Sequence, residues 1–175
     1  MRWKIAIARV PTEPSRHRVR VWRECVKGGA LSLQQSTWAL PAGTEADDLF
    51  NRVGELVARA GGQLLVFEAK PSGATADAMK RSYTEQREAA WVEFIAECGK
   101  FDAEIASEFE KEKFTLAELD EEEQNLDRLR RWFRELSFRD QFGAPSAPEA
   151  ETRMKSVTET LERFAEAVFA AREQT

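Results

Sequence analysis

Ser15-Arg16-His17-Arg18-Val19-Arg20-Val21-Trp22-Arg23 and, beyond Gly28-Gly29, Leu31-Ser32-Leu33-Gln34-Gln35-Ser36-Thr37-Trp38-Ala39-Leu40-Pro41 decide the fold. The first run reads as a helix, with Val19, Trp22, Cys25 and Val26 recurring at helical spacing as its buried stripe. Ser15 is suited to cap that helix and Gly28-Gly29 to close it. The second run alternates apolar and polar residues on either side of Gln35-Ser36, the pattern of a β-hairpin. Arg16, Arg18, Arg20, Arg23, Lys27 and the single histidine, His17, fall within about three helical turns. So dense a cationic segment points to an anionic ligand or a phosphate backbone.

Upstream, residues 3–10 alternate small or apolar with polar residues as a strand does, and Pro11 and Pro14 end it. Downstream, Thr44 to Ala60 carries Leu49, Phe50, Val53, Leu56 and Val57 on one helical face and stops at Gly61-Gly62. Gln63 to Ala69 is a further strand, ended by Pro71. The order β-α-β-β-α-β predicts an α+β fold, a ferredoxin-like plait over residues 1–71 with two helices on one sheet face.

Ser72 to Asp77 reads as a short polar linker, after which residues 78–173 turn helical. Trp91, Phe94, Cys98, Phe101, Ile105 and Phe109 step by about 3.5 residues, the spacing of a coiled-coil seam. Leu119, Leu126, Leu129, Phe133 and Leu136 form a second stripe; Met154, Val157, Leu161, Phe164 and Val168 form a third. An antiparallel three-helix bundle buries all three. Glu121-Glu122-Glu123 reads as a solvated charge run in the first turns of the middle helix.

The 175 residues are 42% hydrophobic and 33% charged, as befits a globular chain with long exposed helices. The net charge of −5 hides an asymmetry: residues 1–71 hold 11 Lys/Arg against 7 Asp/Glu, whereas residues 72–175 hold 15 against 24. Nucleic acid, if bound, should meet the first half. No run of about 18 apolar residues provides a membrane span, and residues 1–5 lack the apolar core of a signal peptide, so a cytoplasmic protein is expected. Cys25 and Cys98 are far apart and read as buried, reduced thiols. No glycine-rich phosphate loop, nucleophile elbow or metal-ligand spacing occurs. The expectation is therefore a protein without a catalytic site, metal or cofactor.

At about 100° per residue, Arg16, Arg20, Arg23 and Lys27 share one helical face. Arg16 and His17 also adjoin the helix N-terminus, where free N–H groups attract anions. Arginine forks suit tetrahedral oxyanions. A solvated basic face, partly offset by Glu13 and Glu24, is the alternative. Arg9, at the end of the first strand, is a further candidate. A second basic-aromatic stretch, Arg128-Leu129-Arg130-Arg131-Trp132-Phe133-Arg134, reads instead as a core-facing helix with intramolecular ion pairs.

Taken together, Ser15 to Arg23, Gly28-Gly29-Ala30, Leu33 to Pro41, Leu129 to Arg134 and Arg139 to Pro145 resemble the N-terminal region of the ChrB chromate-resistance family. The plait also looks like the Cas2-like domain of PaaX-type repressors. The resemblance implies a chromate-responsive regulator of a chromate efflux transporter, hence oxyanion sensing, DNA binding, or both. It carries those roles onto Arg16, His17, Arg18, Arg20 and Arg23, with Arg9 and Lys27 as additions. It also implies that the C-terminal domain typical of the family lies outside this chain, and no winged-helix segment is present to read DNA. The partners expected are chromate or a similar oxyanion, and DNA. The competing expectation is a non-catalytic interaction module acting through its helical bundle, including as a homodimer. A reductase fits less well, because Cys25 and Cys98 read as buried and no nucleotide-binding fingerprint occurs, and a nuclease because Ala8-Arg9-Val10 stands where a metal-binding carboxylate would be needed.

Overall fold

A computed structural model describes residues 1–173. The chain is α+β, with elements β1 (Trp3–Arg9), α1 (Arg16–Lys27), β2 (Leu31–Gln34), β3 (Thr37–Pro41), α2 (Thr44–Arg59), β4 (Gln63–Ala69), α3 (Gly73–Glu110), α4 (Leu116–Arg139) and α5 (Ala147–Glu173). It divides into two compact units, Met1–Tyr83 and the residues from Thr84 onward. The boundary lies within α3. Residues 73–77, expected in a linker, are helical: the segment holds alanines and no proline, so nothing interrupts the helix.

In the first unit the strands form one antiparallel sheet in the order β2-β3-β1-β4. Ile5 is the register point, opposite Ala39 of β3 and Phe67 of β4. Alternation along β1 sends Lys4, Ala6 and Ala8 to the face where Lys4 pairs with Asp47 of α2. Ala6, Ala8, Trp38 and Leu40 are buried there beneath Val21 and Cys25 of α1 and Leu49, Phe50, Val53 and Val57 of α2. Trp3 belongs to the other face and meets Tyr83 edge-on at 5.7 Å. Two glycines are demanded by close approach. A Cβ on Gly28 would stand 2.4 Å from Leu49 Cδ1, and one on Gly62 would stand 2.2 Å from the Arg9 carbonyl oxygen.

The orientation of α1 corrects the stripe read from the sequence. Val21 and Cys25 face inward, whereas Val19, Trp22 and Val26 are 42%, 54% and 42% exposed. The contact between Gly28 and Leu49 sets this rotation, since Val21, Cys25 and Gly28 lie along one side of the helix. Ser15 has helical dihedrals and makes no side-chain capping bond, unlike Thr115, whose hydroxyl accepts from the Glu118 N–H at the start of α4.

In the second unit α3, α4 and α5 share one apolar core. Trp91, Phe94, Cys98, Phe101, Ile105, Leu126, Phe164 and Val168 are buried in it. Phe109 is 39% exposed yet meets Phe114 and Phe164 edge-on. The turn before α5 is organised by Asp140, which accepts from the Trp91 indole and from the N–H groups of Gly143 and Ala144. Glu88 accepts from the Ser146 N–H at 2.8 Å.

Glu122 departs from the solvated run expected at 121–123. It is 1% exposed and accepts a bond from Asn125. Its carboxyl is pushed above the usual range, first by burial and then by the neighbouring charges of Glu104, Glu121 and Glu108.

Candidate functional site

Helix α1 breaks the local electrostatic rules that α2 obeys. α2 has Glu45 and Asp47 in its first turn and Arg59 in its last, matching the helix dipole. α1 has no acid in its first turn, where Arg16 and Arg18 stand instead. The neighbouring acid is already committed, because Glu24 accepts from Arg52 of α2 at 2.9 Å. Among the described residues, Arg16, Arg18, Arg20, Arg23 and Lys27 form no ion pair. Like charges three or four residues apart each cost about 0.2–0.5 kcal/mol. The successive pairs Arg16/Arg20, Arg20/Arg23 and Arg23/Lys27 therefore oppose the helix unless an anion lies across them.

The structure separates the candidates into three places. Arg16, Arg20, Arg23 and Lys27 are exposed along one face of α1. His17 is half-buried on the inward flank and Arg18 points away from the basic face, toward a cavity bounded by α1, β1 and the β2-β3 hairpin. Arg9 is exposed at the end of β1, on the alternation side of Trp3 rather than that of Ala8, beside Gly61 and Gly62. Thus four of the seven candidates share one surface, and Arg9, His17 and Arg18 do not join it.

That surface is convex and open. An isolated small anion is best held by converging donors shielded from water, whereas an extended polyanion can lie along a row of solvated cations. Between the basic face and Arg18 runs the exposed apolar strip of Val19, Trp22 and Val26, a feature that reading this strip as core had concealed.

The second basic-aromatic stretch is used differently. Trp132 meets Phe94 at 5.4 Å, and Phe133 meets Trp91 at 5.4 Å. Arg130 pairs with Asp127 and Arg139 with Glu135, while Arg128, Arg131 and Arg134 form no ion pair among the described residues. The thiols are far from nucleophilic: burial raises Cys25 to about 12 and Cys98 to about 11. Among the described residues no group of three or more His, Cys, Asp or Glu side chains is placed to hold a metal ion. Nor is any helix of the described residues long and apolar enough to cross a membrane.

A family model described as Protein ChrB, N-terminal, matches residues 18–175. The chain belongs to the ChrB N-terminal family. Membership relates it to chromate resistance. The match opens inside α1, so Arg18, Arg20, Arg23 and Lys27 lie within it and Arg9, Arg16 and His17 precede it. No curated protein matches the chain.

Proposed function

We propose that this ChrB N-terminal chain is a non-catalytic regulatory module of chromate resistance that holds nucleic-acid phosphates along α1. The observation that carries this reading is the row Arg16, Arg20, Arg23 and Lys27, exposed together with no carboxylate partner among the described residues. Each such cation placed on a phosphate releases a counterion, so binding is steeply salt-dependent. The β-α-β-β-α-β order with strands β2-β3-β1-β4 supports a ferredoxin-like plait as the scaffold. The common core of α3, α4 and α5 supports an antiparallel three-helix bundle. Such a module works in the cytoplasm.

Chromate bridging neighbouring arginines of the same row would neutralise charges that DNA needs, and so loosen the complex. The test is competition: labelled DNA is titrated with chromate, with sulfate as control, at constant ionic strength. Release by chromate at concentrations where sulfate does nothing is expected. Equal release by both anions would reduce the effect to screening, and no DNA binding at all would end the reading.

A docking role for α3–α5 is the second reading, favoured by exposed Val92, Phe138 and Phe169 at 53%, 67% and 53%. Light scattering separates it in part, because a stable monomer leaves no room for a homodimer through these helices.

A further inference from the structure

Arg18 lines an open-mouthed cavity of about 420 Å³ in the first unit. That volume falls within the range of small-molecule sites. Its floor is apolar: Ala8, Val21 and Trp38 are each buried to 5% exposure or less. Trp22 lines the cavity and leaves 54% of its surface uncovered, so an aromatic side chain is accessible to a ligand there. The remaining polar groups of the lining are neutral, Ser15 and Gln35 among them, and no acid contributes. Arg18 is thus the single charge of the site, and it has no carboxylate partner among the described residues.

The hairpin end of the cavity is held in a set shape. Ser36 adopts φ 64°, a left-handed conformation that normally favours glycine. Its carbonyl accepts from the Ala8 N–H at 2.8 Å, which ties the turn to β1.

One cation over an apolar floor, with an accessible aromatic side chain, fits a ligand with one negative charge and a flat apolar body. We propose that this cavity binds a small aromatic carboxylate, its carboxylate paired with the Arg18 guanidinium and its ring laid against Trp22. A bare inorganic oxyanion would leave the apolar floor unused. The site is independent of phosphate binding on the basic face, since Arg18 lies about 160° around the helix from Arg20.

The test uses 1-naphthoate, its neutral amide 1-naphthamide, and chromate as separate titrants of the whole chain. The indole N–H signals in a nitrogen-edited proton spectrum report the site. Naphthoate is expected to shift the signals of Trp22 and Trp38 and leave those of Trp91 and Trp132 in place. Arg18→Gln should weaken naphthoate about tenfold or more and leave the weaker naphthamide binding unchanged. Trp22→Ala should also weaken naphthoate, and Arg20→Ala/Arg23→Ala should not. Arg18 is exposed, so its variant is expected to fold, which circular dichroism checks.

Unshifted Trp22 and Trp38 signals would overturn the proposal, as would equal affinity for the amide or an unaffected Arg18→Gln variant. Chromate shifting the same two indoles at lower concentration than naphthoate would reassign the cavity to inorganic oxyanions. Loss of DNA binding in Arg20→Ala/Arg23→Ala with naphthoate binding retained would separate the two surfaces.

Discussion

Helix α1 and the helices α3 to α5 spend the same residue types in opposite ways. In α3–α5 and the loop joining α3 to α4 many cations are tied down: Lys100 to Glu97, Lys113 to Glu118, Arg153 to Asp102 and Lys155 to Glu151. The aromatics there interlock, as in the Trp91, Phe94, Trp132 and Phe133 cluster. Even the unpaired Arg128, Arg131 and Arg134 stand in a half of the chain rich in acid. In α1 the five cations are free of ion pairs among the described residues, and its tryptophan faces solvent. One region pairs many of its cations and packs its aromatics internally and is built for stability. The other leaves them available, which is the pattern expected where a surface is kept for a ligand.

The contrast breaks most readily in the core. Phe94→Ala should cost about 3–5 kcal/mol of stability in denaturant unfolding. A cost near that of a surface substitution would mean the aromatic cluster is not the core of the helical unit. Next comes Asp140→Ala, which strands the Trp91 indole and two backbone N–H groups; a loss of about 1–3 kcal/mol is expected in the same assay.

Glu122→Gln has the opposite sign. Because the folded-state pKa of Glu122 is raised above its ordinary 4.5, the folded chain holds that proton more tightly than the unfolded chain. Stability associated with this group is complete below the unfolded value and falls as pH rises through the folded one. The variant should therefore lose that decline and be the more stable at neutral pH, read from unfolding curves between pH 4 and 8. A destabilised variant with an unchanged pH profile would count against the buried charge. Smallest of all, Arg20→Ala/Arg23→Ala should raise stability slightly, by up to about 1 kcal/mol in the same unfolding assay, since it relieves the like-charge pairs along α1 and neither residue has an ion-pair partner to lose.

Much of this fold was legible because its signals are local. The strand limits at Pro11 and Pro71, the α2 stripe and the Trp91 to Ile105 seam each follow from periodicity and breakers. The rotation of α1 was not legible that way. Val19/Trp22/Val26 and Val21/Cys25 are both plausible stripes on a short helix, and the choice rests on Gly28 packing against Leu49, a tertiary contact. Glu122 did leave a trace, since it falls between Leu119 and Leu126 at seam spacing, but its charge argued against burial. The basic row was read correctly as one face of α1, yet periodicity could not show that Glu24 is taken by Arg52. Nor could it show that Arg18 opens onto a cavity formed with a distant hairpin.

The most direct measurement is the salt dependence of DNA affinity for the unaltered chain, for Arg20→Ala/Arg23→Ala and for Arg131→Ala/Arg134→Ala. If α1 holds phosphates, the α1 variant should bind more weakly and its log–log salt slope should shrink by roughly two. The α4 variant should match the unaltered chain. Equal slopes for the unaltered chain and the α1 variant, or the larger loss in the α4 variant, would contradict a phosphate-binding role for the first helix.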